Sequence, residues 1–321
     1  MRKTLGLLVV PAIALSLAAC AGPALPALDG GTPIGQASCT PIWERGGLAA
    51  DVTATGDFGA EVEAEFPTPL VSHDAHSVAL LEAGDGPVIA PTDFVLGNST
   101  FFDGATGGVI AQLPAELRQL GSATGRLYFD AAACQTVGSR VALAASAAEF
   151  FGEDVATANG IDPDATLVGV FDIQQAFISQ AQGSDVPPLN GLPTVSRLAN
   201  GRPGLSFTNA PAPTDLRIAP LIAGRGTKVQ DGDTVLVHYT GVLWGSHKVF
   251  DSSWEQGLPA QFQTGDGIEG FSKAVVGQTV GSQVLVAIPP AFGYGDNPPS
   301  GIAPDDTLVF VIDILGTTPA S

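Results

Sequence analysis

Val235–Trp254 reads V-L-V-H-Y-T-G-V-L-W-G-S-H-K-V-F-D-S-S-W, and Gln261–Gly295 reads Q-F-Q-T-G-D-G-I-E-G-F-S-K-A-V-V-G-Q-T-V-G-S-Q-V-L-V-A-I-P-P-A-F-G-Y-G. Gly301–Gly316 follows as G-I-A-P-D-D-T-L-V-F-V-I-D-I-L-G. Val235, Val237 and Tyr239 alternate with Leu236, His238 and Thr240, the two-residue spacing of a strand. Phe262 lies on a second short run. Gly270 to Val276 stops at Gly277, which fits one or two helical turns ended by glycine. Val284–Ile288 and Leu308–Leu315 are two more strand-like runs. The pattern predicts an α+β unit, an antiparallel sheet with one short helix lying on it. Tyr239, Phe250, Phe262, Phe271, Tyr294 and Phe310 recur through it, and one acid, Asp251, stands among them. Each aromatic alone is ordinary core material. An acid in an aromatic cluster costs free energy unless hydrogen-bonded, so Asp251 is the sharpest single marker.

Four pieces in order carry a family pattern: Val237-His238-Tyr239-Thr240-Gly241, Phe250-Asp251-Ser252-Ser253, Phe292-Gly293-Tyr294-Gly295 and Thr307-Leu308-Val309-Phe310. Together they resemble the FKBP family of peptidyl-prolyl cis/trans isomerases, the macrolide-binding immunophilins. The resemblance implies a twisted antiparallel sheet wrapped around one short α-helix. It implies isomerase activity on proline-containing polypeptide clients, with macrolides as a further ligand class and neither cofactor nor metal. By the same resemblance, the backbone N–H of Ile268 holds a substrate carbonyl and Tyr294 donates a second hydrogen bond. Asp251 sits beside the twisting carbonyl or orients Tyr239. Phe250, Phe262, Phe271, Ile302 and Phe310 complete the substrate pocket. Three departures touch its edges. Phe271 stands where the family often has Trp, Ala260 stands where it commonly has Phe, and the loop from Gly265 to Ile268 is shorter. They imply a wider pocket and weaker macrolide binding.

The chemistry fits these parts. The amide before proline turns over a resonance barrier of ~18–20 kcal/mol. No bond breaks and no proton need move overall. A catalyst must bind the twisted amide better than either planar form. An apolar aromatic pocket with a few fixed donors does this. A module that only grips proline segments, with incidental turnover, is the alternative use of the same pocket.

The rest of the chain sets the address. With 321 residues there is room for two domains. A formal charge of −19 argues against nucleic acid, whose phosphates need a basic face. Residues 1–19 read as a signal peptide: Arg2 and Lys3 are basic, and Leu5 to Leu17 is apolar but too short to span a bilayer. Leu17-Ala18-Ala19-Cys20 resembles a bacterial lipoprotein signal, which implies cleavage before Cys20 and its lipidation; an ordinary secretory signal is the other reading. The expected location is the outer face of the bacterial cell membrane, held through the lipid alone. Residues 20–45 then read as a tether. The two remaining cysteines, Cys39 and Cys134, are expected to pair in an exported protein or to be buried thiols. His73-Asp74-Ala75-His76 reads as a solvated turn.

The first half echoes the second. Thr136-Val137-Gly138-Ser139-Arg140-Val141 parallels Thr279-Val280-Gly281-Ser282-Gln283-Val284, and Gly160–Val168 parallels Gly301–Val309. Residues 46–177 are therefore expected to form a degenerate copy, 178–190 a linker, 191–316 the isomerase domain and 317–321 a tail. Asp93 to Asp103 is 10 positions, whereas Asp233 to Asp251 is 18. Phe102-Asp103 survives, but the 8 missing residues remove from the copy the strand that carries Tyr239. Phe151 stands at the position of Tyr294 and Gly169 at that of Phe310. The copy is expected to keep the fold without a competent pocket.

Overall fold

The computed structural model describes residues 29–30, 39–71, 76–122, 127–296 and 298–319. The signal segment, Cys20 and His73 lie outside these residues. Through the first half run β1 (Asp29–Gly30), β2 (Glu44–Arg45), β3 (Thr53–Thr55), β4 (Glu63–Glu65), β5 (Ser77–Glu82), β6 (Phe94–Asp103), β7 (Val109–Gln119) and β8 (Arg140–Ser146). Helices α1 (Ala147–Phe151) and α2 (Glu153–Ala158) precede β9 (Thr166–Phe177). The second half holds β10 (Ser184–Asp185), β11 (Thr194–Arg197), β12 (Pro203–Ser206), β13 (Arg217–Ala223), β14 (Thr234–Leu243) and β15 (Val249–Ser252). After these come α3 (Ser253–Gln256), β16 (Ala260–Gln263), α4 (Glu269–Val275), β17 (Gln283–Ile288) and β18 (Leu308–Thr318).

Two large sheets result, and they share one plan. The first has the order β2-β5-β8-β9-β6-β7; the second has β10-β13-β17-β18-β14-β15, with β16 also on β14 and β1 on the end of β18. All pairs in both are antiparallel except β2 with β5. The expected α+β class holds. One difference concerns the helix. On the second sheet α4 covers the core side, whereas Leu127–Ala132 of the first forms a 3-10 helix and the α-helical turns come later, as α1 and α2. Ser146 caps α1 by accepting from the Glu149 N–H, and Glu149 reaches back, a reciprocal capping box.

Several turn hydrogen bonds recur in the two halves. Gly84 N–H donates to Ser139 Oγ at 3.0 Å, and Gly224 N–H donates to Ser282 Oγ at 2.9 Å. Asp93 accepts from Ala90 N–H at 2.9 Å, and Asp233 accepts from Gln230 N–H at 2.8 Å. Register makes β6 the counterpart of β14: Asn98 faces Asp172 as His238 faces Asp313, and Phe101 faces Gly169 as Gly241 faces Phe310.

This register corrects the expected loss of a strand. The strand is present, and Ser99 occupies the position of Tyr239. Phe102-Asp103 is not the counterpart of Phe250-Asp251. Asp103 pairs with Leu167 as Leu243 pairs with Leu308. Its carboxylate serves the hairpin turn instead, accepting from the N–H groups of Ala105 and Thr106 at 2.7 and 2.9 Å. The residue paired as Asp251 is paired is Ala111, opposite Phe101. Asp93 to Ala111 spans 18 positions, as does Asp233 to Asp251, so nothing is deleted there. The length change comes later, where α3 is inserted between β15 and β16 and β7 instead runs on unbroken.

The segments expected as connectors are structured. Ser184–Asp185, inside the expected linker, pairs with β13. Ala181 N–H donates to Asp313 at 2.8 Å. In the expected tether, Asp29–Gly30 pairs with β18, Glu44–Arg45 pairs with β5, and Trp43 is buried. Cys39 and Cys134 form a disulfide across a separation of 95 residues, which joins this segment to the first sheet. Phe94, Leu96, Phe177 and Ile178 of the first half pack in one cluster with Val235, Val237 and Ile312 of the second. Burying such side chains stabilises by roughly 1.5–3 kcal/mol each.

Candidate active site

The site is a cavity of about 240 Å³ on the second sheet, beside α4. Strand alternation aims Val237 and Tyr239 from β14 to the same face. Asp251 comes from β15, Ala260 and Phe262 from β16, Phe271 from α4 and Phe310 from β18. Ile268 stands just before α4, and Gly267 turns the loop into it with φ of 73°. Tyr294 closes one side from the loop after the 3-10 turn Pro290–Phe292.

Phe271 is the hub of the rings. Its centroid lies 5.0 Å from that of Phe262, 5.1 Å from Phe310 and 5.9 Å from Tyr239, all edge-on. Edge-to-face packing suits the aromatic quadrupoles. Phe250 stands behind Phe310, edge-on at 5.4 Å, and does not line the cavity. Ile302 packs against the same core but also lies outside the lining. Gly241 is required behind these rings: a Cβ there would meet Phe250 at 2.6 Å and Phe310 at 2.8 Å.

The polar groups are few and placed. Tyr239 Oη donates to Asp251 Oδ2 in a short hydrogen bond, and Gln256 Nε2 donates to Oδ1 at 3.2 Å. The first bond ties Asp251 to Tyr239, one of the two positions open to it in the sequence. Burial, then the Asp251 hydrogen bond and charge, push the Tyr239 phenol above its usual range; burial and the Asp251 charge push Tyr294 the same way. Both therefore remain donors at neutral pH. Tyr294 is 37 % exposed, at the mouth. The Ile268 N–H points to no acceptor among the described residues, while its carbonyl accepts from Phe271 N–H at 3.1 Å. A buried backbone donor costs free energy unless something pairs with it.

Sequence reasoning missed Gln256, Asp266, Gly267 and Val237. Gln256 sits on the inserted helix α3, which no periodicity announces. Val237 reads as plain strand core. Among the described residues no group of His, Cys, Asp and Glu could hold a metal ion, and no helix is long and apolar enough to cross a membrane. His76, from the turn read as solvated, bonds Glu149 at 3.1 Å.

The family model for FKBP-type peptidyl-prolyl cis-trans isomerases matches residues 225–315, the span that holds this cavity. An FK506-binding protein of Streptomyces anulatus is 41% identical over 118 residues, which are 36% of this chain and 95% of that one. The chain belongs to the FKBP-type peptidyl-prolyl cis-trans isomerases. A probable FK506-binding protein of Corynebacterium glutamicum is 36% identical over 114 residues, 36% of this chain and 97% of that one. The crystal structure of FkpA from Escherichia coli aligns with a TM-score of 0.32 at 31% identity, over 40% of this chain and 53% of that one. This isomerase thus carries its family match in its second half, and a same-plan sheet precedes it.

Proposed function

We propose that the cavity of the second sheet catalyses X-Pro isomerisation in exported proteins by binding the twisted amide. The observation that carries this reading is the open Ile268 N–H facing an aromatic box in which Tyr239 is fixed by Asp251. A proline ring would lie over Phe271 between Phe262 and Phe310. The Ile268 N–H would hold a flanking carbonyl, and Tyr294 would donate from the mouth. As the amide twists it loses conjugation and becomes less polar, so apolar walls favour it over the planar forms. No residue takes or gives a proton in this scheme. Macrolides would enter the same cavity, more weakly for want of a side chain at Ala260. The first sheet is proposed to be catalytically silent.

The chain is further proposed to be exported and held by acyl chains on Cys20 at the outer face of the cell membrane, with two or more chains needed for stable anchoring. Intact-mass measurement of the mature protein tests this, and an uncleaved, unmodified N-terminus overturns it. The catalytic reading is tested by proline-peptide isomerisation with the full chain and with Asp251→Ala and Tyr294→Phe. Wild-type acceleration is expected. Asp251→Ala should lose most of it, and Tyr294→Phe should cost ~0.5–1.5 kcal/mol, roughly tenfold at most. Tight peptide binding with no acceleration would leave a proline-gripping chaperone instead.

A further inference from the structure

The cavity is lined by two carboxylates, Asp251 and Asp266, and by no Lys or Arg. The two acids are not alike. Asp251 is committed on both oxygens, to Tyr239 and to Gln256. Asp266 is exposed, and its carboxylate has no partner among the described residues; its backbone is fixed, N–H to Gln263 O at 3.0 Å and O from Ser272 Oγ at 3.4 Å. It stands two residues before Ile268, whose N–H is open to a ligand carbonyl. A second depression, of about 380 Å³, shares Gly267 and is lined also by Asp231, Glu269 and Lys273. Its one cation, Lys273, is already paired with Glu269 at 2.5 Å and lies over the Phe292 ring at 5.0 Å.

We propose that Asp266 is a specificity-determining residue that makes this isomerase prefer X-Pro bonds flanked by a lysine or arginine. The inference rests on the isomerase reading of the cavity. A substrate carbonyl on the Ile268 N–H places the neighbouring residues of the peptide against the loop that carries Asp266. A cationic side chain there meets an unpaired carboxylate and no competing cation. An acidic side chain meets like charge, which Asp251 and Asp231 reinforce. The pair is solvent-exposed, so its effect is modest and salt-sensitive.

The test uses the full chain and short proline peptides with Lys, Ala or Glu placed in turn at each of the two positions before and after proline. At low salt, kcat/KM should rank Lys over Ala over Glu at one position at least, by about two- to fivefold per step. The spread should shrink in high salt. Asp266→Asn should narrow it and Asp266→Lys should invert it. Glu153→Gln, on α2 of the first sheet, should leave it intact, which separates a local effect from the overall charge of −19. Equal rates at every position, or a ranking that survives Asp266→Asn, overturns the proposal. Failure of the Ala peptides to be turned over at all would instead overturn the isomerase reading beneath it.

Discussion

One phenyl ring changes strands between the two sheets. In the second, Phe310 on β18 faces Gly241 on β14; in the first, Phe101 on β6 faces Gly169 on β9. Each pair is one ring and one glycine, so the volume is conserved across the pair while the ring's origin moves. The consequence is large. Phe310 walls an open cavity. Phe101 is fully buried, with ring contacts to Tyr128 at 5.1 Å, Phe150 at 5.2 Å and Phe151 at 4.9 Å. By register, its ring lies on the face that corresponds to the cavity side of the second sheet. Ser99, Ala111 and Arg118 occupy the positions of Tyr239, Asp251 and Phe262. Packing preserves a sheet as long as volumes balance, but a site needs particular side chains at particular places.

The largest expected effect comes from removing each ring. Phe310→Gly and Phe101→Gly should each cost ~3–5 kcal/mol as large-to-small core changes. Their functional outcomes should diverge. Phe310→Gly should abolish most isomerase activity, and Phe101→Gly should leave the turnover of the remaining folded protein unchanged. Urea denaturation and peptide isomerisation on the same samples decide it. A first sheet that gains activity on losing Phe101 would mean that a plug, rather than missing groups, keeps it silent.

A second pair of equivalent positions separates the sheets by charge. Arg140 on β8 corresponds to Gln283 on β17, and Asp172 to Asp313. Arg140 is buried; it donates to both oxygens of Asp172 at 2.6 and 2.8 Å, and to the carbonyls of Gly56 and Asp57 at 2.9 and 3.0 Å. Gly59 N–H adds a bond to Asp172 at 2.6 Å. The ion pair thereby holds the segment carrying β3 and β4 over the first sheet. Gln283, an uncharged side chain, instead donates one bond to Asp313 at 2.7 Å. Arg140→Ala should cost ~3–5 kcal/mol, because it leaves a buried carboxylate unpaired. Gln283→Ala should cost ~1–3 kcal/mol. Equal costs in urea denaturation would show that the buried charge adds nothing beyond a hydrogen bond.

Much of the second sheet was readable in the sequence because its site is written in side-chain types. Tyr239, Asp251, Phe262, Phe271, Tyr294, Phe310 and Ile268 come together around the cavity. Phe250 and Ile302 support the core around it instead. The first sheet was less readable for a physical reason. Its β6 keeps only strand pattern and turn chemistry, which fix no identity at any one position. Matching it by the nearest Phe-Asp pair therefore aligned a turn aspartate, Asp103, with a site aspartate. Hydrogen-bond register, which sequence does not display, restored Ala111 to that place. The connectors failed similarly. Two-residue strands such as Ser184–Asp185 have no periodicity to detect, yet they pair because a sheet edge stood open beside them.

The smallest expected effect is no effect at all, and it concerns pH. On β14, His238 points to the face opposite Tyr239. It is stacked on Trp254 at 4.0 Å, lies 5.5 Å from the Phe94 ring of the first sheet and bonds Ser253 Oγ at 2.9 Å. Burial pushes it down to about 4, so it is neutral at pH 7. Its register partner Asp313 is pushed up to about 6 by burial. The two act on stability with opposite sign. As pH falls from 6.5 toward 4, the unfolded chain protonates its histidine before the folded one does, and stability is lost. Asp313 contributes stability that is fully present below 3.8 and is lost as pH rises through about 6. Asp93, pushed up to about 6 by burial, adds the sign of Asp313. Asp313→Asn should therefore tilt the stability profile toward the sign of His238, with a steeper loss on acidification between pH 6.5 and 4. Turnover should not follow. Tyr239 and Tyr294 stay protonated, and a twisted amide needs no proton, so kcat/KM should be level from pH 6.5 to 8.5. A bell-shaped profile would demand an acid–base pair. If His247→Asn or His238→Asn removed one limb of such a bell, that histidine would belong in the mechanism and the aromatic box alone would not account for the rate.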